Sequence, residues 1–182
     1  NQPLVPLNTY GFSKALCDRL VLSLRNILKN FTVVGLRYFN VYGPGEAHKG
    51  ESASMVYKLY LQMKKAVPPR LFKFGQQKRD FIYIKDAVEI TLRATELRRR
   101  AIINVGTGIA RSFNDIVKIL NQHLKTDFVP EYFDNPYKEA YQNYTQADIE
   151  NLSRLLKFVP KFSLEEGIRD YLIYLNGTGK TD

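Results

Sequence analysis

Thr32-Val33-Val34-Gly35-Leu36-Arg37-Tyr38-Phe39-Asn40-Val41-Tyr42-Gly43-Pro44 is the stretch that decides the fold. Its first eight residues are rich in β-branched and aromatic side chains, which predicts a buried strand, and Gly43-Pro44 ends the run. Upstream, residues 11–29 place Leu16, Leu20, Leu24 and Leu28 at four-residue spacing with Val21 and Ile27 beside them, the pattern of an amphipathic helix. Downstream, a helix is expected from about Ser54 to Lys65, ended by Pro68-Pro69. Two short strand-like runs follow, Leu71–Phe74 and Phe81–Ile84, joined by the polar Gly75-Gln76-Gln77-Lys78. Residues 86–97 read as helix and 101–105 as another buried strand. Ser112-Phe113-Asn114-Asp115 has capping-box spacing, with Asp in place of the usual Glu, and opens a helix through Leu124. Ser163-Leu164-Glu165-Glu166 opens the last helix, which ends near Leu175, and the polar tail 176–182 is expected to lack order. Strands alternating with helices predict an α/β fold with a largely parallel sheet.

Composition narrows the function. Of 182 residues, 45% are hydrophobic and 13% aromatic, enough to build a core in one domain or in parts of two. No run of about 18 apolar residues occurs, which excludes a helical membrane span. The single cysteine, Cys17, forms no internal disulfide and fits a reducing cytoplasm. Its place among helix formers predicts a buried structural thiol. Two scattered histidines and one cysteine do not make a zinc site. The net charge of +9 raises the question of nucleic acid. The densest cluster, Arg98-Arg99-Arg100, follows a predicted helix, however, where cations suit the C-terminal dipole, and no nucleic-acid motif accompanies it. A solvated surface, or attraction for an anionic sugar nucleotide, is the preferred reading. Asn1–Pro6 lack the charged and apolar regions of a secretory signal, and with no initiator Met the chain is expected to be part of a longer protein.

Tyr10-Gly11-Phe12-Ser13-Lys14 places a phenol and an ammonium at i and i+4, on one face of a helix. A cation close to a phenol favours the phenolate, which makes tyrosine a usable proton donor and acceptor near neutrality. The spacing alone is common, and an ordinary surface pair is the alternative. Gly106-Thr107-Gly108 mimics a dinucleotide loop, but Arg111 stands where its third glycine belongs. Gly179-Lys180-Thr181 echoes a P-loop ending with Tyr174 at the required first glycine. Neither is taken as a nucleotide site. His48 reads as a loop residue beside Lys49, and His123 as structural or exposed near a helix end.

Context raises the value of the tyrosine–lysine pair. Leu36–Pro44, Arg79-Asp80-Phe81-Ile82-Tyr83-Ile84-Lys85-Asp86 and Ile103-Asn104-Val105-Gly106-Thr107-Gly108 follow it in order. Together they resemble the extended short-chain dehydrogenases/reductases that act on nucleotide sugars. Gly45-Glu46-Ala47-His48-Lys49-Gly50, then Ala53-Ser54-Met55 and Tyr141-Gln142-Asn143-Tyr144-Thr145-Gln146-Ala147-Asp148, are similar to the bacterial ADP-glycero-manno-heptose 6-epimerases among them. That similarity runs from residue 10 to about 175.

The resemblance implies the latter part of a Rossmann-type parallel-sheet domain plus a smaller α/β substrate-binding domain. Residues 1–45 would end the Rossmann domain, 46–182 would be mainly substrate-binding, and 86–108 would return to the Rossmann domain. The family's glycine-rich loop and catalytic Ser/Thr would precede residue 1, so the isolated chain is not expected to turn over. The implied reaction is NADP-dependent epimerisation at C6 of ADP-glycero-manno-heptose for lipopolysaccharide synthesis. It would run in the cytoplasm, in a homo-oligomer (a pentamer in this family), with no metal, nucleic-acid or membrane partner. By this resemblance Tyr10 and Lys49 are the two acid/base residues and Lys14 completes the catalytic set. Tyr10, Lys14, Val41 and Lys49 would meet the cofactor. Asn40, Glu51, Lys58, Phe72, Lys73, Phe74, Gly75, Arg79 and Tyr141 would meet the ADP-sugar. A phosphate or surface contact is the alternative for Lys49, and a structural ion pair for Arg79. Gly45 stands where relatives carry arginine, and Glu51 and Lys58 where they carry serine and histidine, which bears on substrate detail. The competing functions are another nucleotide-sugar epimerase or dehydratase, or a non-catalytic nucleotide-binding relative.

Overall fold

A computed structural model of the chain describes residues 6, 8–27, 31–72, 74–134, 136 and 141–178. Helix α1 spans Thr9–Ile27. Asn8 starts it, its Oδ1 accepting from the Gly11 amide at 2.8 Å and satisfying a donor that the first turn leaves open. The predicted strand divides in two, β1 (Val34–Tyr38) and β2 (Asn40–Tyr42). Phe39 is the break: its amide donates to the Val105 carbonyl, and the Val41 amide turns back onto the Phe39 carbonyl. The chain thereby passes from one sheet into another within a single residue.

A short 3₁₀ helix, Ala47–Ser52, precedes α2 (Met55–Lys64), whose N-cap Ser54 accepts from the Tyr57 amide at 3.2 Å. Then come β3 (Arg70–Phe72), β4 (Lys78–Tyr83), α3 (Ile84–Thr95), β5 (Ala101–Val105), β6 (Ala110–Ser112), α4 (Phe113–Leu124), β7 (Glu131–Phe133), α5 (Glu150–Leu156) and α6 (Leu164–Thr178). The expected capping box at Ser112–Asp115 is present in both directions. Helix α6 outruns its predicted end, so Asn176, Gly177 and Thr178 are helical rather than a loose tail; residues 179–182 lie outside the described residues.

Parallel β1 and β5 pair from Val34 opposite Ala101 to Tyr38 opposite Val105, and β5 is the only partner of β1 among the described residues. Strand β4 sits between β2, which runs parallel to it, and β6, which runs antiparallel. Strand β3 pairs with β7 in parallel. The two runs flanking Gly75–Lys78 therefore do not pair with each other. From Asp80 onward β4 is buried on both faces and needs a neighbour on each edge.

Two apolar clusters follow these sheets. One gathers Ile82, Ile90, Ile103, Val105, Leu152 and Phe158 around β1, β5, α3 and α5. The other packs α2, α4 and α6 against β4 with a tyrosine-rich set that includes Tyr42, Tyr60, Tyr83 and Tyr171. Burying one side chain such as Ile116 or Leu120 of α4 contributes about 1.5–3 kcal/mol. Helix α1 differs, leaving Phe12, Leu16, Leu20 and Leu22 exposed. Cys17 is exposed too, not the buried thiol expected, because its helix face borders an open cleft. None of the described helices is long and apolar enough to cross a membrane.

Candidate active site

The amphipathic spacing of α1 presents Tyr10 and Lys14 on one face, with Lys14 Nζ 5.0 Å from the centroid of the Tyr10 ring. Both side chains line a cleft of about 600 Å³ between α1, the C-terminal end of β1 and the segment around Gln142. Tyr10 is 71% exposed there. Arg37 of β1 holds the helix in place through Asp18 at 2.8 Å. Asn104, Gln142 and Thr145 close the far wall. The Thr145 hydroxyl is buried and has no hydrogen-bond partner among the described residues.

A second cluster centres on Arg79. Its guanidinium lies 5.0 Å from the Tyr141 ring centroid and 6.0 Å from that of Phe113. It donates to the Lys78 carbonyl at 2.9 Å and to the Gln142 carbonyl. Burial pulls Arg79 below its ordinary value, partly offset by Tyr141, and burial pushes the Tyr141 phenol up. Phe72 meets the same Tyr141 edge-on at 5.4 Å. Nearby, Gly75 takes φ +66°, and an added Cβ would stand 2.0 Å from Asn114 Oδ1, so the position requires glycine. Asn114 fixes this turn by donating to the Phe74 carbonyl at 2.8 Å. Phe74 is exposed, and Lys73 lies outside the described residues. The structure thus brings Phe72, Arg79 and Tyr141 together into a half-buried site with aromatic walls and a cation, suited to a diphosphate.

One peptide bond separates the two places, because Tyr141 meets Arg79 while Gln142 lines the Tyr10 cleft. This strap is held beside β4 by the Lys78 amide donating to Asn143 and the Thr145 amide donating to Lys78. Asn40 stands exposed at the start of β2, and Val41 packs into the core behind it.

Lys49 is exposed in the 3₁₀ helix, and no contact joins it to Tyr10 or Lys14 among the described residues. The described residues do not supply the desolvated pocket in which a lysine exchanges protons most readily. Glu51 and Lys58 engage each other: Lys58 Nζ reaches the Glu51 carboxylate at 3.1 Å and the Glu51 carbonyl as well. Among the described residues, no group of three His, Cys, Asp or Glu side chains could hold a metal ion.

Sequence reasoning missed two buried carboxylates that hold this arrangement. Asp80, fully buried, accepts from the Thr107 amide (2.8 Å) and hydroxyl (2.7 Å) and from the amides of Gly108 (2.8 Å) and Ala147 (3.0 Å). The glycines that looked like a dinucleotide loop serve this contact. A Cβ on Gly106 would come within 3.0 Å of Asp80 Oδ2 and 2.5 Å of the Ala147 Cβ. Glu46, 4% exposed, accepts from the Gly43 amide and from Ser54. The available signal was a carboxylate set against an apolar stretch, Asp80 before Phe81–Ile84. Gln142 and Thr145 carried no comparable signal.

Residues 1–106 match the NAD dependent epimerase/dehydratase family. The fold is similar to that of the Helicobacter pylori ADP-L-glycero-D-manno-heptose-6-epimerase, at 43% identity over 97% of this chain and 55% of that one, with a TM-score of 0.84. It is also similar to the UDP-glucuronic acid 4-epimerase of Bacillus cereus, solved with UDP-glucuronic acid and NAD, at 29% identity, 97% and 55% coverage, and a TM-score of 0.80. A UDP-N-acetylglucosamine 4-epimerase from Methanobrevibacter ruminantium M1, solved with UDP-N-acetylmuramic acid, matches at 26% identity, 98% and 56% coverage, and a TM-score of 0.85. The chain spans a little over half the length of each of these structures.

Proposed function

Because the chain belongs to the NAD dependent epimerase/dehydratase family, we propose that the complete protein inverts C6 of ADP-glycero-manno-heptose, with NADP as the recycled cofactor. The observation that carries the reaction class is the strap that sets Tyr141 on Arg79 while Gln142 lines the Tyr10–Lys14 cleft. A cation with aromatic walls thereby stands one residue along the chain from the cleft of the tyrosine and lysine. The choice of an ADP-heptose rests on the Helicobacter relative and on the His48-Lys49 loop.

The open cleft, with an exposed tyrosine, a lysine and a buried hydroxyl that has no partner among the described residues, suits the nicotinamide–ribose half of a dinucleotide. Tyr10, Lys14, Val41 and Lys49 are the residues of this chain that would hold it. When bound, the cofactor supplies the temporary acceptor for the hydrogen leaving C6 and returns it. The protein's own work is proton transfer and orientation. Tyr10 takes the C6 hydroxyl proton, with Lys14 held over its ring. Inversion requires the sugar to be approached from both faces, and Lys49 is assigned to the face opposite Tyr10. Asn40 and Glu51 orient the sugar. Arg79, with Tyr141 against its guanidinium, takes the ADP diphosphate, Phe72, Lys73, Phe74 and Gly75 are assigned to the ADP-sugar as well, and Lys58 steadies the loop through Glu51. The boundary near residue 45, with 86–108 returning, is the proposed division between the cofactor side and the substrate side. A cytoplasmic homo-oligomer completes the reading.

The test is direct. The full-length protein is incubated with NADP and ADP-D-glycero-manno-heptose, and configuration at C6 is followed by NMR. The L epimer is the expected product. No epimerised heptose, alongside turnover of a UDP-hexose, would assign the chain to the 4-epimerases instead.

A further inference from the structure

The loop between Gly43 and Ser54 carries Lys49 at its tip, yet no residue of its 3₁₀ segment Ala47–Ser52 is buried. Isolated 3₁₀ turns have poor hydrogen-bond geometry and do not persist on their own. Lys58 holds the loop from outside through Glu51, and one side chain joins its two ends. Glu46 Oε1 accepts from the Gly43 amide at 3.2 Å and the Ser54 hydroxyl at 2.8 Å, and Oε2 accepts from the Ser54 amide at 2.6 Å. Gly43 and Ser54 are the two ends of the loop, so the carboxylate ties them together. The Glu46 carbonyl in turn accepts the Lys49 amide at 3.0 Å. Ser54 also caps α2 by accepting from Tyr57, so the loop and α2 share one anchor.

We propose that Glu46 is a positioning residue for Lys49: its buried carboxylate closes the Gly43–Ser54 loop and its carbonyl fixes the Lys49 backbone. This rests on reading Lys49 as the second proton-handling residue. A carboxylate is required because it only accepts, and every neighbour here donates. The amide of glutamine would turn an NH₂ toward one of these donors, which breaks the closure without changing side-chain volume.

The experiment uses the full-length enzyme with NADP and ADP-D-glycero-manno-heptose, comparing Glu46→Gln, Lys49→Met and the double variant. Glu46→Gln is expected to lower kcat about 10- to 100-fold with KM within about twofold, the cost of misplacing a reacting group by an ångström or so. Lys49→Met should lose at least as much, and the double variant should fall no further than Lys49→Met alone, because both changes remove one function. Losses that multiply, or wild-type kcat in Glu46→Gln, overturn the inference while leaving Lys49 in place. Full kcat in Lys49→Met removes the reading beneath it instead. If Glu46→Gln fails to fold, Ser54→Ala deletes one donor to the carboxylate and keeps the Ser54 amide that also reaches it. It is expected to lower kcat about threefold or more at constant KM, and unchanged kcat overturns the inference.

Discussion

At the scale of single residues, the site divides into groups that would touch substrate and groups that hold them. Tyr10 belongs to the first kind. Tyr10→Phe keeps the ring over which Lys14 sits and removes only the hydroxyl. Its expected effect is a fall in kcat of about 100-fold or more, the usual worth of a positioned acid/base group. C6 inversion assayed by NMR measures it, and undiminished turnover would end the proposed proton chemistry. Asp80 belongs to the second kind. Four donors converge on its buried carboxylate, and an asparagine would aim an N–H at one of them. Asp80→Asn should cost about 3 kcal/mol of stability in urea unfolding, because buried donors lose an ionised acceptor. A loss below about 1 kcal/mol would mean that the network adds little. Local pattern revealed the first kind of residue and not the second. Tyr10 and Lys14 are legible from spacing within one helix. The partners of Asp80, by contrast, lie at Thr107, Gly108 and Ala147, which only the closed sheets bring together.

At the scale of elements, the long periodic segments were readable and the short ones were not. The leucine spacing of α1 and the capping box of α4 announce helices because each repeats or closes within a few residues. Strands β2, β6 and β7 have three residues each, too few to show a period of two. Helix α5 runs under two turns with only Leu152 and Leu156 buried, so it shows no 3.6-residue repeat. The joint between α4 and α6 yields a pH prediction. Arg111 reaches Glu165 at 2.7 Å and Asp115 at 3.3 Å. Burial alone would raise Asp115, but the Ser112 amide and hydroxyl together with Arg111 outweigh it and hold the carboxyl below its usual value. Hydrogen bonds from Arg111 do the same for Glu165. Carboxyls depressed in the folded state stabilise it above their unfolded value near about 4, and that contribution disappears as pH falls through the folded value. Thermal midpoints should therefore be level from about pH 7 to 5.5 and fall below about pH 4, with a shallower fall in Arg111→Met. Both carboxyls are partly solvated, so the difference should stay under about 1 kcal/mol. An identical slope in wild type and variant would remove Arg111 from the account.

At the scale of the whole molecule, two clusters of different character meet along β2 and β4. The tyrosine-rich one makes the fold sensitive to base. Burial pushes the phenols of Tyr42, Tyr83 and Tyr171 up, with Asp170 adding to the shift at Tyr83 and Glu46 at Tyr171. Groups raised in the folded state contribute fully below their unfolded value near about 10, and that contribution declines as pH climbs beyond it. Tyrosinate absorbance is expected to rise cooperatively with loss of circular dichroism between about pH 10 and 12. A smooth titration of these phenols in an intact fold would contradict their burial. The strand β1 has a consequence of another kind. Among the described residues one of its edges carries β5 and the other has no strand partner, and beside it α1 displays Phe12, Leu16, Leu20 and Leu22 to solvent. Open backbone donors next to an oily helix face act as an adhesive, both for other copies and for chaperones. The 182-residue chain on its own should sediment as concentration-dependent aggregates that bind hydrophobic dyes. Charged substitutions at Leu20 and Leu22 should make it monodisperse, which sets how this chain must be handled at the bench.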